Sequence, residues 1–368
     1  MSWPEVELQE LCSPKQHKTI ATKHLDEGGY PVFGANGKIG YYSTYTHEFP
    51  TIAITCRGAT CGTVNVTPPK CYINGNAMAL DNLRQDKADL NYLKYFFINR
   101  GFYDVISGSA QPQITRTPLL KLKIPLPPLE EQKRIAAILD QADAIVKKRQ
   151  AALDTLNTLG QSIFYDMFGD PKKDTKGFGF SNLGSVCQFY SGNTLPVSEE
   201  FRGQSGGYFS LKVSDFNSTG NETKIMKAKL WSISGGSKAG TCPSNSIVFP
   251  KRGGAIGTNK KRTLSRPSAL DPNLMGVAPL NNAILSSYIF AWFQTFDLLE
   301  IASGSSVPQL NKKDLKDLKI VTPPMKLQHD FLEIITKLDA NIASQNKSIE
   351  NAQALFTTLQ QRAFRGEL

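Results

Sequence analysis

The sequence predicts an α+β protein with two globular domains separated by an antiparallel two-helix coiled coil, the halves related by a pseudo-twofold axis. Three observations predict it. The stretch "PQITRTPLLKLKIPLPPLEEQ" from Pro112 returns as "PQLNKKDLKDLKIVTPPMKLQ" from Pro308, at an offset of 196 residues. Each copy runs through a double proline into a long segment with apolar residues at intervals of three and four. The residues before each copy are rich in Gly, Ser, Thr, Asn and aromatics, with short apolar runs that suit strands and turns.

The repeat is dense. Between Gly108 and Gln132, 11 of 25 positions recur unchanged at the same offset, among them Gly108, Pro112, Gln113, Leu119, Leu122, Ile124, Pro127, Pro128 and Gln132. A period this long is a duplicated module rather than a solenoid. A weaker echo lies upstream, where "RGATCGT" from Arg57 meets "RGGAIGT" from Arg252.

The order is therefore domain, helix, domain, helix. The first domain spans 1–126 and ends in the helical patch "LNYLKYFFINRGFYDVI". Asn36, Lys38, Tyr41, Tyr42 and Arg57 lie among its turn glycines as candidate binding residues; core tyrosines and an internal salt bridge explain them equally well. The first spacer helix spans 127–169. Proline favours a helix's first turn and holds its predecessor extended, so "IPLPPLEEQ" is a start signal, and "MFGDP" supplies a stop glycine.

Ile135, Ile138, Ala142, Ile145, Ala152, Leu156, Leu159 and Ile163 form a narrow stripe with a period near 3.5, interrupted by Arg149. Such a helix from Leu129 to Phe168 spans about 60 Å. The second domain spans 170–322, with the patch "LSSYIFAWFQTFDLLEI" near its end, and the second helix spans 323–368. There the equivalent stripe is Phe331, Ile334, Leu338, Asn341, Ser348, Ala352, Leu355 and Leu359, interrupted by Gln345. An antiparallel pairing of these helices puts one domain at each end, so the coil acts as a ruler.

Charge narrows the function. The 368-residue chain carries a net charge of +10, and residues 171–303 hold +7 of it, whereas 1–107 is neutral. A charge surplus gathered in one segment points to a polyanion, most simply nucleic acid. Lys251, Arg252, Lys260, Lys261, Arg262 and Arg266, with Asn259, fall within 16 residues and offer both phosphate and base-edge donors. A basic solvated loop is the competing explanation. Duplex DNA has local twofold symmetry, so two related domains suit two half-sites. Because the domains differ in sequence, the half-sites should differ as well.

Several classes are excluded. No apolar run approaches the roughly 20 residues of a membrane span, and the first residues lack a basic leader region, so a cytoplasmic protein is expected. The six cysteines are irregularly spaced without C-x-x-C, and the four histidines do not cluster near them, so reduced thiols and no metal are expected. An amino-methyltransferase needs a Pro-Pro-aromatic loop, but the pairs here read "TPPK", "LPPL" and "TPPM". "VFGANGKIG" has Ile39 where a phosphate loop needs Ser or Thr, and "GDPKKD" is a linker rather than a nuclease motif. No catalytic residues are assigned.

The residues "PLPPLEEQKRIAAILD", "PPMKLQ", the terminal "AFRGEL", "YPVFGANGKIGYYSTYTHEFPTIAITCRGATCGTV" and "LGSVCQFYSGN" resemble the specificity subunits of type I restriction-modification systems, over essentially the whole chain. Met325, Lys326 and Phe331 depart from Leu129, Glu130 and Ile135 of the first motif. The resemblance implies two target-recognition domains that bind double-stranded DNA at a bipartite asymmetric site, two methylation subunits, and restriction subunits for cleavage. It also implies no cofactor on this chain: S-adenosylmethionine belongs to the methylation subunit, and ATP and Mg to the restriction subunit. A single-chain restriction-methylation enzyme and a coiled-coil DNA-binding regulator are the alternatives.

Overall fold

The computed structural model describes residues 3–35, 37–108, 111–280, 283–304 and 307–368. It divides into two compact units, Met1–Ala152 with Gln345–Leu368, and Leu153–Ser344. Each unit thus takes a part of both long helices, which the sequence reading had kept as separate segments.

Unit 1 runs β1 (Glu5–Glu7), β2 (Ser13–Gln16), β3 (Tyr30–Gly34), β4 (Gly37–Tyr42), β5 (Ile52–Thr55), β6 (Val64–Val66), β7 (Tyr72–Ile73) and β8 (Ala77–Asp81). Then come α1 (Leu90–Arg100), β9 (Ile106–Ser107), β10 (Gln113–Ile114), α2 (Arg116–Leu120), β11 (Lys123–Pro125) and α3 (Leu129–Phe168). An antiparallel sheet has the order β2-β8-β5-β6, and a smaller one the order β4-β3-β7. α1 starts where the Asp89 carboxylate accepts from the Tyr92 amide, and stops at Gly101, whose φ of 68° suits glycine. It buries Tyr92, Leu93, Tyr95, Phe96 and Phe97 against Ile54, Met78 and Leu80 of the sheet, and against Ile135 and Leu139 of α3.

Unit 2 runs β12 (Phe180–Asn182), α4 (Leu183–Val186), β13 (Cys187–Ser191), β14 (Glu199–Glu200), β15 (Tyr208–Leu211), β16 (Lys224–Ile225), β17 (Leu230–Ser232), β18 (Thr241–Cys242) and β19 (Ile247–Pro250). β20 (Arg262–Leu264), β21 (Ser268–Leu270), β22 (Leu274–Pro279), α5 (Ser286–Phe293), α6 (Lys312–Lys316), β23 (Lys319–Val321) and α7 (Met325–Arg365) follow. One sheet has the order β13-β22-β19-β20-β16, and the other β14-β17-β15-β21-β18. Its core gathers Tyr288, Trp292, Phe293, Phe249 and Phe189 around Phe164, Phe168 and Phe331 of the long helices.

The sequence repeat is a repeat of hydrogen bonds. β1 pairs with β11, and β12 with β23, in the same antiparallel register, Val6 opposite Ile124 and Ser181 opposite Ile320. The Tyr92 hydroxyl donates to the Pro125 carbonyl at 2.6 Å, and the Tyr288 hydroxyl to the Val321 carbonyl at 2.9 Å. Buried Gln132 donates to the Lys87 and Pro127 carbonyls and accepts from the Asp89 amide. Buried Gln328 repeats this with the Ala283 and Pro323 carbonyls and the Leu285 amide. Each glutamine thereby locks the start of a long helix to an earlier one, α3 to the start of α1 and α7 to the start of α5. β2-β8-β5-β6 and β13-β22-β19-β20 share one antiparallel connectivity, so both units have the same scaffold. Their second sheets differ, with three strands in unit 1 and five in unit 2.

The helix stripes need correction. Ile145, Leu159, Ile334 and Leu355 are exposed and Ile138 is half-buried, whereas Leu139, Leu153, Phe164, Leu338 and Ile349 are buried. Ile135, Ala142, Phe331, Leu338 and half-buried Leu156, Ile163 and Leu359 keep their places facing inward. The inward face therefore follows Ile135, Leu139, Ala142, Val146, Arg149 and Leu153, and Phe331, Ile335, Leu338, Ile342 and Gln345. The sequence reading began on the correct residue in both helices but stepped three before four instead of four before three. Both steps have the same mean period, and apolar Ile138 and Ile334 disguised the difference.

In unit 2 the helices run antiparallel: Phe168 packs on Phe331 at 5.2 Å between ring centres, and Gly160 faces Ile335 and Leu338. In unit 1, Arg134 near the start of α3 donates to the Leu368 carbonyl at 2.9 Å. Among the described residues no helix is long and apolar enough to cross a membrane.

Candidate nucleic-acid interface

The surface around the repeated Pro-Gln motif takes the same form in both units. Cys56 and Lys251 stand just beyond β5 and β19; their carbonyls accept from the Ile114 and Leu310 amides at 3.0 and 2.9 Å. The next residues, Arg57 and Arg252, form β-bridges to Gln113 and Gln309, and both arginines are exposed. Glycine follows each, donating to the Pro112 and Pro308 carbonyls. Three residues past each glutamine, α2 and α6 begin with Arg116 and Lys312, which sit at the repeat offset. The turn that bears Arg57 thus lies beside the helix start that bears Arg116, as Arg252 lies beside Lys312.

In unit 2 these groups line a cleft of about 240 Å³ with Ser191, Gln309 and Asn311. Lys251 forms its floor, but it is 6% exposed and donates to Ser191 Oγ at 2.5 Å and to the Gly192 carbonyl at 3.3 Å. Burial lowers its pKa, with Arg252 and Lys312 adding repulsion. The cleft therefore concentrates positive potential with polar donors around it, which suits a phosphate oxygen. Lys312 and Arg116 escaped the sequence reading, although the repeat aligned them.

The linear basic cluster does not survive as one surface. Lys261 is 1% exposed; its ammonium donates to the Phe296 carbonyl at 2.7 Å, and burial lowers its pKa to about 8. Arg266 donates to the Gln204 and Gly206 carbonyls and lies over the Phe201 and Phe209 rings. Arg262 is half-buried, and burial lowers its pKa. Asn259 is a left-handed cap with φ 52°, and its Oδ1 accepts from the Leu298 amide. Lys260 donates to Asn217 Oδ1 and keeps part of its surface exposed. Lys251, Lys261 and half-buried Arg266 are thus engaged inside the fold, because the loops that carry them, each just outside a strand, turn these side chains onto a nearby hydroxyl and backbone carbonyls. Arg252 and Lys260 remain available to a ligand.

In unit 1, an extra residue at Ile39 shifts the β3–β4 register and lets Lys38 reach the Tyr41 hydroxyl at 2.5 Å. Tyr42 is half-buried and packs edge-on against Tyr72. Thr55 and Thr60 hydroxyls both donate to the Ala35 carbonyl, which brings the β3–β4 turn to the turn that carries Arg57. Lys38, Tyr41 and Arg57 are therefore on neighbouring segments. Asn36 lies outside the described residues.

Comparison with known proteins bears on the family and the fold. The family description "Type I restriction modification DNA specificity domain" matches residues 2–155 and 175–354. A solved S subunit of the type I restriction-modification system from M. genitalium shares the fold with a TM-score of 0.65 and 17% identity, over 99% of this chain and 96% of that one. A second, from a study of complex assembly and conformational transition of the type I R-M system, has a TM-score of 0.60 and 16% identity, over 100% and 98%. A Haemophilus influenzae protein, provisionally named a type I restriction enzyme specificity subunit, is 22% identical over 334 residues, 88% of this chain and 83% of its own length.

Proposed function

Because the chain belongs to the type I restriction-modification DNA specificity family, we propose that it binds double-stranded DNA at a bipartite asymmetric site and directs partner subunits there. One observation carries the reading: the two units share a scaffold down to individual hydrogen bonds but support second sheets of three and five strands. A common scaffold gives both units the same kind of approach to the duplex. Different second sheets give them different base-reading surfaces, hence unlike half-sites. Arg57 with Arg116, and Arg252 with Lys312, supply phosphate contacts that fix each unit in place.

The chain itself is non-catalytic in this reading. Two of its Pro-Pro pairs lead directly into α3 and α7, where the Pro128 and Pro324 carbonyls accept the first helical amides, so they are structural. Two methylation subunits supply the chemistry with S-adenosylmethionine, and restriction subunits add cleavage with ATP and Mg, all in the cytoplasm.

The test is to co-express the chain with its methylation subunit and map modified adenines across the genome. A bipartite motif with unlike halves is expected. A continuous palindrome, no sequence preference, or methylation by the purified chain alone would overturn the proposal.

A further inference from the structure

We infer that His17, His47 and Asp81 form a divalent transition-metal site in unit 1, of the zinc type. The three come from separate parts of the scaffold, yet one ligand atom from each lies within 4.8 Å of the others. His17 Nε2 is 3.1 Å from Asp81 Oδ2, and His47 Nε2 is 2.9 Å from Asp81 Oδ1. Around a tetrahedral ion with bonds of about 2.0–2.1 Å, neighbouring ligand atoms lie roughly 3.3 Å apart. Both histidine–carboxylate contacts are close to that spacing, and the two histidine ligand atoms, within 4.8 Å of each other, draw together around the ion.

The ring geometry agrees. The imidazoles meet edge-on at 82° with centres 4.8 Å apart, so their Nε2 atoms converge on one carboxylate rather than stacking. Each ligand is also fixed by backbone. Asp81 ends β8, which pairs with β2, and His17 directly follows β2. His47 exchanges backbone hydrogen bonds with Cys71, both at 3.0 Å. Thr46 Oγ1 sits 2.7 Å from His47 Nδ1 and accepts from the Ile73 amide, holding the ring so that Nε2 faces Asp81. Partners of this kind on the remote nitrogen orient metal-binding histidines.

The side chains are 15%, 10% and 17% exposed, mostly shielded but not sealed. His47 and Asp81 also line a cavity of about 350 Å³ with Thr46, Asn82 and Gln85, which gives water access to a fourth coordination position. Two imidazoles and one carboxylate suit zinc, cobalt or nickel better than the hard ions calcium and magnesium. Among the described residues the cluster occurs in unit 1 and is not repeated in unit 2: with Leu8–Cys12 aligned on Leu183–Cys187, Gly192 and Ala278 take the places of His17 and Asp81. The sequence expectation of no metal rested on Cys and His spacing, and 64 residues separate His17 from Asp81.

The experiment strips the full chain with a chelator and titrates it with zinc, and separately with cobalt(II). One equivalent should bind, cobalt should give a visible d–d absorption, and affinity should fall by more than about tenfold in His17→Ala and in His47→Ala. Because those variants could misfold, the wild-type chain provides a second readout, acylation by diethyl pyrocarbonate followed by peptide mass spectrometry. Zinc should shield His17 and His47 while exposed His24 and His329 react unchanged. Absence of stoichiometric binding, binding that survives both substitutions, or unshielded His17 and His47 would each overturn the assignment.

Discussion

The Asp89 amide donates to Gln132 Oε1 at 2.9 Å, tying the cap of α1 to the first turn of α3. The same glutamine donates at 2.9 and 2.8 Å to the Lys87 and Pro127 carbonyls and has no exposed surface. Truncation leaves an amide and two carbonyls without a partner, so Gln132→Ala should destabilise unit 1 by about 2–4 kcal/mol in chemical denaturation. Gln328→Ala should do the same to unit 2, and Gln132→Glu should cost more than Gln132→Ala, because it buries a charge facing two carbonyls.

Lys261 sets a pH signature. Its folded pKa of about 8 lies below the ordinary lysine value because burial disfavours the ammonium. Between those values the unfolded chain binds the extra proton, so this group's contribution raises stability as pH rises from about 8 to 10, with a slope near 1 kcal/mol per pH unit. Buried Cys groups oppose it from about pH 9 upward, and buried Tyr groups only above about pH 10, since their folded pKa values are raised from those ordinary values. The quantity to measure is therefore the difference in thermal midpoint between wild type and Lys261→Met across this range. A difference that stays flat would show that Lys261 is not desolvated.

DNA binding should separate outward from internal cations. Each phosphate contact contributes about 0.9 to the slope of log K against log salt, so Arg252→Ala with Lys312→Ala should flatten it by up to about two units. Arg57→Ala with Arg116→Ala should do likewise, and Lys260→Ala should remove at most about one. Arg266→Met should lower stability and leave the slope unchanged in the fraction that folds, because its guanidinium is engaged by two carbonyls. Fluorescence titrations at several salt concentrations measure all of these.

The helix register is equally open to test. Leu139 has no exposed surface, whereas Ile145 is 49% exposed. Leu139→Ala should cost about 2–5 kcal/mol, and Ile145→Ala under about 1, by urea denaturation. Equal costs would restore the three-before-four register.

What could be read in advance follows from what duplication preserves. Gln113, Pro127, Pro128 and Gln132 recur because each makes the same backbone bond twice, and that identity exposed the two-domain plan and both long helices. Helix period was legible, but phase was not, since Ile138 and Leu139 are both apolar and only packing chooses between them. Charge was legible as a total and not as a surface: Lys260 and Lys261 are adjacent, yet one is partly exposed and the other bonds an internal carbonyl. The second sheets are built from strands as short as two residues, which carry too little alternation to detect. The histidine–aspartate cluster forms only when β2, β8 and the segment around His47 come together.

Cys12, Cys56, Cys71, Cys187 and Cys242 are each at most 5% exposed, and burial raises every one of their pKa values. Cys61 differs in exposure alone: burial raises its pKa as well, but it is partly exposed on the turn that begins at Arg57, its amide held by the Gly58 carbonyl. With all six thiol pKa values raised, access decides which of them an electrophile reaches. Native protein therefore offers a fluorophore one preferred attachment point, and that point lies four residues from an arginine facing the proposed DNA surface. The fold has, in effect, reserved a single address at which the arrival of a duplex on unit 1 can be watched without altering the other five thiols.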